Sequence, residues 1–284
     1  MPVPVAYQGE PGAYSEQAAF DHFGAAAEPR GYQTFDAVFD AVMAGAQAYG
    51  VVPVENSLAG SIHRNYDLVM RHDVRLTGEV IVRVSHQLLA LPGVALGDIT
   101  RVYSHWQPFG QCETTLNQLL PDTERVEVYD TAGSAKMLAA EGRRDTAAIA
   151  SLRAAQIYGL SVLKSAIEDD PTNFTRFVVF EPSSTRQHEG TATAPTATYK
   201  TSIIFAVKNI PGALFKAMAA FSLRDIDLAK IESRPLQGSP WDYLFYLDFT
   251  GHADDPNCRR ALENLREFAT ILKVIGSYPK AARS

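Results

Sequence analysis

A stretch without apolar periodicity divides this sequence into two regions that have different secondary-structure patterns. From residue 181 to residue 198 the chain reads EPSSTRQHEGTATAPTAT, in which Ser, Thr, Pro, Ala and charged residues replace the apolar runs. This composition is typical of a linker. We therefore expect one domain at residues 1–182, a linker at 183–198 and a second domain at 199–284.

Upstream of this stretch, short β-rich runs alternate with helical patterns. Strands are predicted at 3–8, 49–54, 101–104, 126–129, 147–150 and 174–180, and helices at 15–23, 34–44, 62–71, 109–120, 132–141 and 152–158. Such alternation predicts an α/β domain in which most strands are parallel. The run 74–91 contains two strand-like stretches without a helix between them, so we expect two lobes joined near it, the second at roughly 78–168.

Downstream of the linker, the predicted order is strand, helix, strand, strand, helix, strand. The strands are predicted at 199–207, 228–235, 243–250 and 270–277, and the helices at 213–223 and 257–268. This order within fewer than 90 residues is the ferredoxin-like βαββαβ plan. Because such a half-open sheet has exposed edges that can pair with another copy, we expect a homodimer or homotetramer.

Charge and cysteine content exclude several classes of protein. Lys and Arg total 26 against 32 Asp and Glu, so the formal net charge is −6, the wrong sign for a nucleic-acid binder. Cys112 and Cys258 are far apart and no His or Cys spacing fits a metal site, so neither a disulfide framework nor bound metal is indicated. We find no export signal and no run of about 18 apolar residues that would span a membrane. We expect a cytoplasmic protein that binds neither nucleic acid nor membrane.

Several predicted strands of the first domain end in small polar residues where the next helix opens. Such positions are Ser15, Ser57, Gln107 and Thr131 with Ser134. Helix N-termini present unpaired N–H groups and a positive dipole end, and ligands of open α/β sheets bind beyond the carboxyl ends of strands. Several converging ends would form a site for a small anion. For any one of these residues, an ordinary N-cap is the simpler interpretation.

Two further segments place reactive groups at strand ends. Residues 55–57, Glu-Asn-Ser, follow an apolar strand, although a capped turn is the alternative. In residues 173–177, Asn-Phe-Thr-Arg-Phe, the Thr175 hydroxyl can donate a hydrogen bond from one face of the strand. Arg176 lies on the other face and can bind a carboxylate through two nitrogens if the strand end twists toward the cleft. A β-branched strand residue beside a surface arginine is the competing interpretation.

Taken together, these segments resemble the prephenate dehydratase family. The matching pieces, in chain order, are YQGEPGAYS at 7–15, VPVENS at 52–57, YSHWQ at 103–107 with Gln111 and Cys112, DTAGSA at 130–135 and NFTRF at 173–177. The C-terminal region resembles an ACT domain, with PGAL at 211–214 and ESRP at 232–235 where that family has its phenylalanine-binding motifs. Trp106 departs from the family, which has Pro after Ser-His; this affects loop shape more than chemistry.

The resemblance implies a decarboxylating dehydration of prephenate to phenylpyruvate, water and CO2 in L-phenylalanine biosynthesis, without a cofactor or metal. It also implies a type-2 periplasmic-binding-protein-like catalytic domain with its site in the cleft between two lobes. The implied catalytic residue that stabilises the departing hydroxyl is Thr175, with Arg176, Asn56, Ser57 and Glu55 beside it. The implied substrate-binding residues are Ser15, Tyr14, Thr131, Ser134, Asn173, Phe177 and Gln107.

For the C-terminal region, the resemblance implies allosteric regulation by L-phenylalanine bound between two ACT domains. The implied contacts are Asn209, Gly212, Ala213, Leu214, Glu232, Ser233, Arg234 and Pro235. The sequence leaves two other functions open, an arogenate dehydratase and an amino-acid-binding sensor that has lost catalysis. Without a chorismate-mutase-like helical segment at either end, we expect a monofunctional enzyme.

Overall fold

The structure, a computed structural model, describes residues 1–185, 198–235 and 243–281. Most of the predicted linker, residues 186–197, therefore lies outside the described residues. The chain divides into two compact units. The first contains Met1–Ile62 and Val80–Phe177, and the second contains His63–Glu79 and Val178–Ser284. This division groups residues 63–79 with the C-terminal region, which the linear order of sequence patterns does not indicate.

The described part of the chain contains strands β1 to β15 and helices α1 to α9, besides two short 3₁₀ turns. The strands are β1 (Val3–Gln8), β2 (Ala27–Tyr32), β3 (Tyr49–Asn56), β4 (Gly60–Ser61), β5 (Val74–Arg83), β6 (Gln87–Ala90), β7 (Arg101–Ser104), β8 (Glu124–Glu127), β9 (Thr146–Ala150), β10 (Ser161–Lys164), β11 (Phe174–Pro182), β12 (Tyr199–Val207), β13 (Leu228–Pro235), β14 (Tyr243–Thr250) and β15 (Ala269–Pro279). The helices are α1 (Tyr14–Phe23), α2 (Phe35–Met43), α3 (His63–Arg71), α4 (Trp106–Gln111), α5 (Glu113–Leu119), α6 (Thr131–Glu141), α7 (Leu152–Tyr158), α8 (Ala213–Ser222) and α9 (Pro256–Arg266).

The first sheet has the strand order β2-β1-β3-β11-β5, and β4 pairs with β3. β1 lies parallel to both of its neighbours, as the alternation of strands and helices predicts. In β3, the run from Val51 to Val54 is buried, which is typical of a parallel strand with both faces covered. The strand ends at Asn56, so this residue lies at the edge of the sheet, just after the buried run.

The second sheet has the order β10-β6-β9-β7-β8. Alternate residues of β9 pack into two different cores, because successive strand side chains point to opposite faces. Ala147 and Ile149 pack with Phe109 and Leu116 of α4 and α5, whereas Ala148 and Ala150 pack against α6 and α7. The two sheets with helices on their faces confirm the predicted two-lobed α/β class.

The third sheet has the order β13-β14-β12-β15, with every pairing antiparallel. With α8 and α9, this is the predicted ferredoxin-like βαββαβ fold. One face of the sheet packs on the two helices through a core that includes Phe205, Leu247, Phe221 and Leu262.

The opposite face of the third sheet is covered by residues 63–79, within the second unit. The Tyr246 hydroxyl donates to the Tyr66 carbonyl at 3.1 Å. The buried Lys200 ammonium pairs with the buried Glu79 carboxylate at 2.7 Å. A side chain at Gly276 would overlap the backbone of Leu76, so these two segments approach as closely as a glycine permits. Helix α3 and the start of β5 therefore form a third layer on this sheet.

Two sequence-based predictions are corrected by the structure. Ser57 does not open a helix but lies in the turn between β3 and β4. The helix expected at 109–120 is two helices, α4 and α5, that meet at Cys112. Strand β11 is two residues longer than predicted, 174–182 instead of 174–180, and includes Glu181, which pairs with Arg75. Among the described helices, none combines the length and apolar character needed to cross a membrane.

Candidate functional site

Asn56, at the end of β3, holds its side-chain amide in one orientation. Its Oδ1 accepts hydrogen bonds from the backbone N–H groups of Leu58 and Ala59, at 3.0 and 2.9 Å. This Asx turn closes the hairpin between β3 and β4, in which Asn56 pairs with Gly60. Since the oxygen is used by the turn, the Nδ2 group must face the other way, toward β11.

The Asn56 amide joins two residues at the start of β11. Nδ2 lies 2.7 Å from Asn173 Oδ1, 2.9 Å from Thr175 Oγ1 and 3.2 Å from the Phe174 carbonyl oxygen. Its two hydrogens are shared among these three acceptors. Because the Thr175 oxygen accepts from the amide, the hydroxyl hydrogen is left to donate elsewhere.

Asn173 carries a second donor at the same place. Its side chain is fully buried, and its Nδ2 has no hydrogen-bond partner among the described residues. Its backbone carbonyl accepts from Val84 N–H at 2.8 Å, which fixes its position opposite the end of β5. A buried donor without an acceptor costs about 1–3 kcal/mol. A ligand that accepts a hydrogen bond there would recover this loss.

Ser57 uses its hydroxyl to fasten the turn to β11. Oγ donates to the Thr172 carbonyl at 2.8 Å and accepts from Phe174 N–H at 2.9 Å, while Ser57 N–H donates to the Phe174 carbonyl at 2.8 Å. These three bonds hold the turn in register with the strand that carries Thr175. The Ser57 hydroxyl is therefore engaged with main chain on both sides.

Arg176 and Glu55 lie beside each other, next to this cluster in sequence. Their nearest charged atoms, Nη1 and Oε2, are 3.9 Å apart, and the Arg176 side chain is only 12% exposed. Strand alternation places Arg176 on the face of β11 opposite Thr175, and Glu55 on the face of β3 opposite Asn56. The role of Arg176 in binding a substrate carboxylate stays a prediction. Phe177 is on the Thr175 face and is buried.

The start of α1 meets the link between β5 and β6. Tyr14 donates its hydroxyl to the Ser85 carbonyl at 2.7 Å, and burial raises the pKa of this phenol well above its usual value. Ser15, in the first turn, is buried. The His86 Nε2 lies 2.8 Å from Gln111 Oε1, and burial lowers the pKa of His86, which favours the neutral imidazole. Gln111 carried no predicted site role, and only its position in a matching motif pointed to it.

The remaining predicted substrate-binding residues lie on helices of the second sheet, outside the Asn56 cluster. Thr131 is half-buried and begins α6, whose N-cap Asp130 accepts from Gly133 N–H at 2.7 Å. Ser134 is buried and donates to the backbone carbonyls of Thr131 or Ile149, at 2.7 and 3.1 Å. Gln107 is exposed in α4. The Asp130 carboxylate therefore occupies the N-terminus of α6, the role of the Thr131 hydroxyl stays a prediction, and the Ser134 hydroxyl is used internally.

The residues predicted to bind an effector fall on two elements of the third sheet domain. Gly212 precedes α8 with φ +79°, and the adjacent Leu214 and Asn209 are exposed. In β13, Ser233 and Pro235 are exposed, whereas Glu232 and Arg234 point to the other face of the sheet. On that face, Glu232 Oε1 lies 3.7 Å from His63 Nδ1, and Arg234 lies 3.3 Å from Asp67 Oδ2. The motif is thus divided between the two faces; Ala213 begins α8 beside Gly212.

The described residues contain no group of three or more His, Cys, Asp or Glu side chains arranged to hold a metal ion. The Asn56 cluster instead contains neutral hydrogen-bond donors and acceptors. Such a site can bind anionic or hydroxylated groups and can stabilise a departing oxygen.

Comparison with known proteins places the chain in a family. The family model described as prephenate dehydratase matches residues 5–185. Arogenate dehydratase/prephenate dehydratase 2 of Arabidopsis thaliana is 47% identical over 287 residues, which cover 98% of this chain and 73% of that protein. The structure of prephenate dehydratase from Arthrobacter aurescens in complex with L-Phe has a TM-score of 0.87 and 30% identity, covering 98% of this chain and 90% of that one. GqqA, described as a novel type of quorum quenching acylase, has a TM-score of 0.87 and 32% identity, covering 98% of both chains. The chain belongs to the prephenate dehydratase family and is a carbon–oxygen lyase.

Proposed function

We propose that this chain converts prephenate to phenylpyruvate, water and CO2. The observation that carries this proposal is the Asn56 cluster, in which one oriented amide leaves the Thr175 hydroxyl and the Asn173 Nδ2 group as donors at one edge of the sheet. The dehydratase names of the relatives support the same reaction.

The reaction needs little covalent chemistry from the protein. The bond between the ring and its carboxylate breaks, CO2 leaves, and the electron pair enters the ring. The C4–oxygen bond breaks at the other end of the ring, and the hydroxyl takes up one proton and leaves as water. Aromatisation drives the step, so the protein must orient the substrate and stabilise the departing oxygen.

The residues of the cluster fit separate parts of this task. Thr175 donates a hydrogen bond to the departing hydroxyl, since the Asn56 amide occupies its oxygen and directs its hydrogen outward. Asn173 donates from Nδ2 to a second oxygen of the substrate. Ser57 positions the turn and does not contact substrate, because both sides of its hydroxyl are bonded to main chain. Phe177 lines an apolar part of the site, where loss of carboxylate charge as CO2 is favoured.

The substrate carboxylates need donors that outweigh a net charge of −6. The N-terminus of α1, near Ser15, has no side-chain cap and supplies N–H groups and a positive dipole end. Tyr14 fixes this N-terminus through its bond to Ser85. At α6 the Asp130 carboxylate already accepts from the Gly133 N–H, so the Thr131 hydroxyl is the donor offered there. Arg176, which lies beside Glu55 at the start of β11, supplies a guanidinium that can bind a substrate carboxylate through two nitrogens.

Arogenate is the second candidate substrate, because the Arabidopsis relative is named for both activities. Arogenate has an ammonium group where prephenate has a keto group, and it loses its ring carboxylate and hydroxyl in the same way. Glu55 is a half-exposed acid near the cluster, although it already lies beside Arg176. Competing the two substrates in one assay, with both aromatic products quantified, gives the ratio of kcat/KM values. Faster use of arogenate would make this chain an arogenate dehydratase.

We also propose that residues 1–182 form the catalytic domain and that residues 199–284 form an ACT domain that binds L-phenylalanine and regulates turnover. The ferredoxin-like sheet and the L-Phe in the Arthrobacter aurescens structure support this proposal. The exposed apolar side chains Ile210, Leu214 and Phe215 favour a homodimer or homotetramer. Titrating L-phenylalanine against initial rate tests the regulation; a rate unchanged at saturation would exclude it. Mass measured by light scattering tests the oligomer.

The direct test of the proposed function is turnover of prephenate by the purified chain, followed by the absorbance of phenylpyruvate. Wild-type protein should produce phenylpyruvate without added metal or cofactor, and Thr175→Ala should lose most of this activity. A wild-type chain that binds L-phenylalanine but turns over neither prephenate nor arogenate would instead be an amino-acid-binding sensor.

A further inference from the structure

Alternate residues of β13 have different surroundings. Its register with β14 pairs Lys230 with Asp248, Glu232 with Tyr246 and Arg234 with Leu244, so these β13 side chains all face away from α8 and α9. The residues between them are exposed. A molecule that binds the exposed side of β13 therefore acts on a strand whose opposite side is already in contact with another part of the chain.

That other part is helix α3. Asp67 Oδ2 lies 3.3 Å from Arg234 Nη2, and His63 Nδ1 lies 3.7 Å from Glu232 Oε1. Lys230 lies over the ring of Tyr66, with its Nζ 5.7 Å from the ring centre. These contacts involve every second residue of β13: Lys230, Glu232 and Arg234. The helix thus contacts the strand along the length that carries the predicted effector motif.

Helix α3 is also tied to the Asn56 turn. It begins at His63, directly after Ile62, whose N–H donates to the Val54 carbonyl at 2.9 Å. β4, just before it, pairs with β3 so that Gly60 lies opposite Asn56. A change in the position of α3 therefore acts, through seven residues of hydrogen-bonded hairpin, on the amide that orients Thr175.

We infer that the Asp67–Arg234 contact couples β13 to the catalytic turn, and that α3 transmits the effector signal. Asp67 is a coupling residue, not a catalytic one, since it touches neither Asn56 nor Thr175 in the described hydrogen bonds. The inference rests on the proposed regulation by L-phenylalanine. It requires that the effector favour one of two positions of β13, because a ligand shifts an equilibrium only through different affinities for its two states.

The test compares Asp67→Asn with Asp73→Asn in the full-length chain. Both substitutions remove one carboxylate charge from residues 63–79, but Asp73 is exposed in the connection between α3 and β5 and serves as the matched control. Two quantities are measured for each protein, the dissociation constant of L-phenylalanine by calorimetry and the factor by which saturating L-phenylalanine changes kcat/KM for prephenate. Asp67→Glu, which keeps the charge, is the rescue variant, and melting temperatures show that each protein is folded.

We expect Asp67→Asn to bind L-phenylalanine and to keep its rate without effector within about twofold, while the effector response shrinks at least about threefold toward no response. Asp73→Asn should respond like wild type, and Asp67→Glu should recover most of the response. If wild type responds and Asp67→Asn responds equally, the coupling role is wrong while the proposed regulation stands. If wild type binds L-phenylalanine without any change in rate, the proposed regulation fails first and the coupling role fails with it.

Discussion

The Asn56 Nδ2 atom lies 2.9 Å from Thr175 Oγ1, although 119 positions separate the two residues in sequence. The turn after β3 uses the other end of the same amide, through Leu58 and Ala59. One side chain thus closes a hairpin and directs the hydrogen of a neighbouring hydroxyl. Orienting a donor before the substrate arrives avoids reorganisation during the reaction, which is how such groups contribute most to a rate.

Thr175→Ala should lower kcat for prephenate by about 10²–10³-fold, because it removes one donor to the departing oxygen. KM should change little if the bond strengthens only as the oxygen leaves. Thr175→Ser keeps a hydroxyl within reach of Asn56 and should retain most of the activity. Steady-state kinetics of the three proteins provide the comparison, and equal kcat in wild type and Thr175→Ala would remove the residue from the mechanism.

Asn56→Asp tests the orientation of the amide. A carboxylate at residue 56 still accepts the N–H groups of Leu58 and Ala59, so the turn should still form. Its second oxygen faces Asn173 Oδ1 and the Phe174 carbonyl, so the melting temperature should fall. The carboxylate cannot donate to Thr175; instead it accepts the Thr175 hydrogen and withdraws it from the substrate. We expect kcat to fall about as far as in Thr175→Ala, by 10²–10³-fold. The double variant should be no worse than either single one, since both remove the same bond; additive losses would argue for separate roles.

The sequence predicted both partners of this bond as site residues, but not the bond. Pattern and motif place an amide at one strand end and a hydroxyl at the start of another strand, whereas the order of strands in the sheet decides which ends meet. β2 was not predicted because its sequence, AEPRGY, lacks an apolar alternation. It is positioned by pairing with β1, and a Cβ at Gly31 would overlap the Gly9 carbonyl oxygen. Its structure therefore comes from a partner strand and not from local preference.

The sequence also does not predict that α3 contacts the third sheet. The helix itself was predicted within one residue of its observed bounds, His63–Arg71, because its apolar positions recur with helical spacing. Which surface this apolar face covers depends on chain segments more than 150 positions away, such as Tyr246. Periodicity predicts that a face is buried but not which element covers it.

Gly276→Ala should destabilise the protein because residues 63–79 lie directly against β15. The added Cβ would overlap the Leu76 carbonyl, which belongs to backbone and cannot turn aside. We expect a loss of about 1–3 kcal/mol in the free energy of unfolding, the usual cost of overpacking. Gly97→Ala is the matched control, since no atom lies within 4 Å of a Cβ there and its φ is not positive. Chemical denaturation of both variants measures the difference, and equal stability would mean that the two segments are not in contact.

Removing one member of the buried Lys200–Glu79 pair should lower the free energy of unfolding far more than replacing both. Lys200→Met removes the ammonium that pairs with the buried Glu79 carboxylate, to which the Ala281 N–H also donates at 3.0 Å. We expect a loss of about 3–5 kcal/mol from this single change. Adding Glu79→Gln removes the charge and keeps an acceptor for Ala281, so the double variant should regain most of the stability. Urea unfolding followed by circular dichroism measures both, and a double variant as unstable as the single one would contradict the prediction.

His86 should make the stability of the protein depend on pH below neutrality. Burial holds the pKa of the folded His86 below its usual 6.5. The hydrogen bond with Gln111 and the charge of the Glu168 carboxylate oppose this effect without cancelling it, and Tyr14 is an uncharged neighbour. As pH falls through about 6.5, the unfolded chain takes up a proton at this residue and the folded chain does not, so folding loses up to about 1.4 kcal/mol per pH unit. His86→Gln can still donate to Gln111 but does not titrate. Its free energy of unfolding should therefore fall less steeply than that of wild type between pH 7 and pH 5.5. Parallel curves for the two proteins would mean that His86 takes up its proton equally well in the folded state.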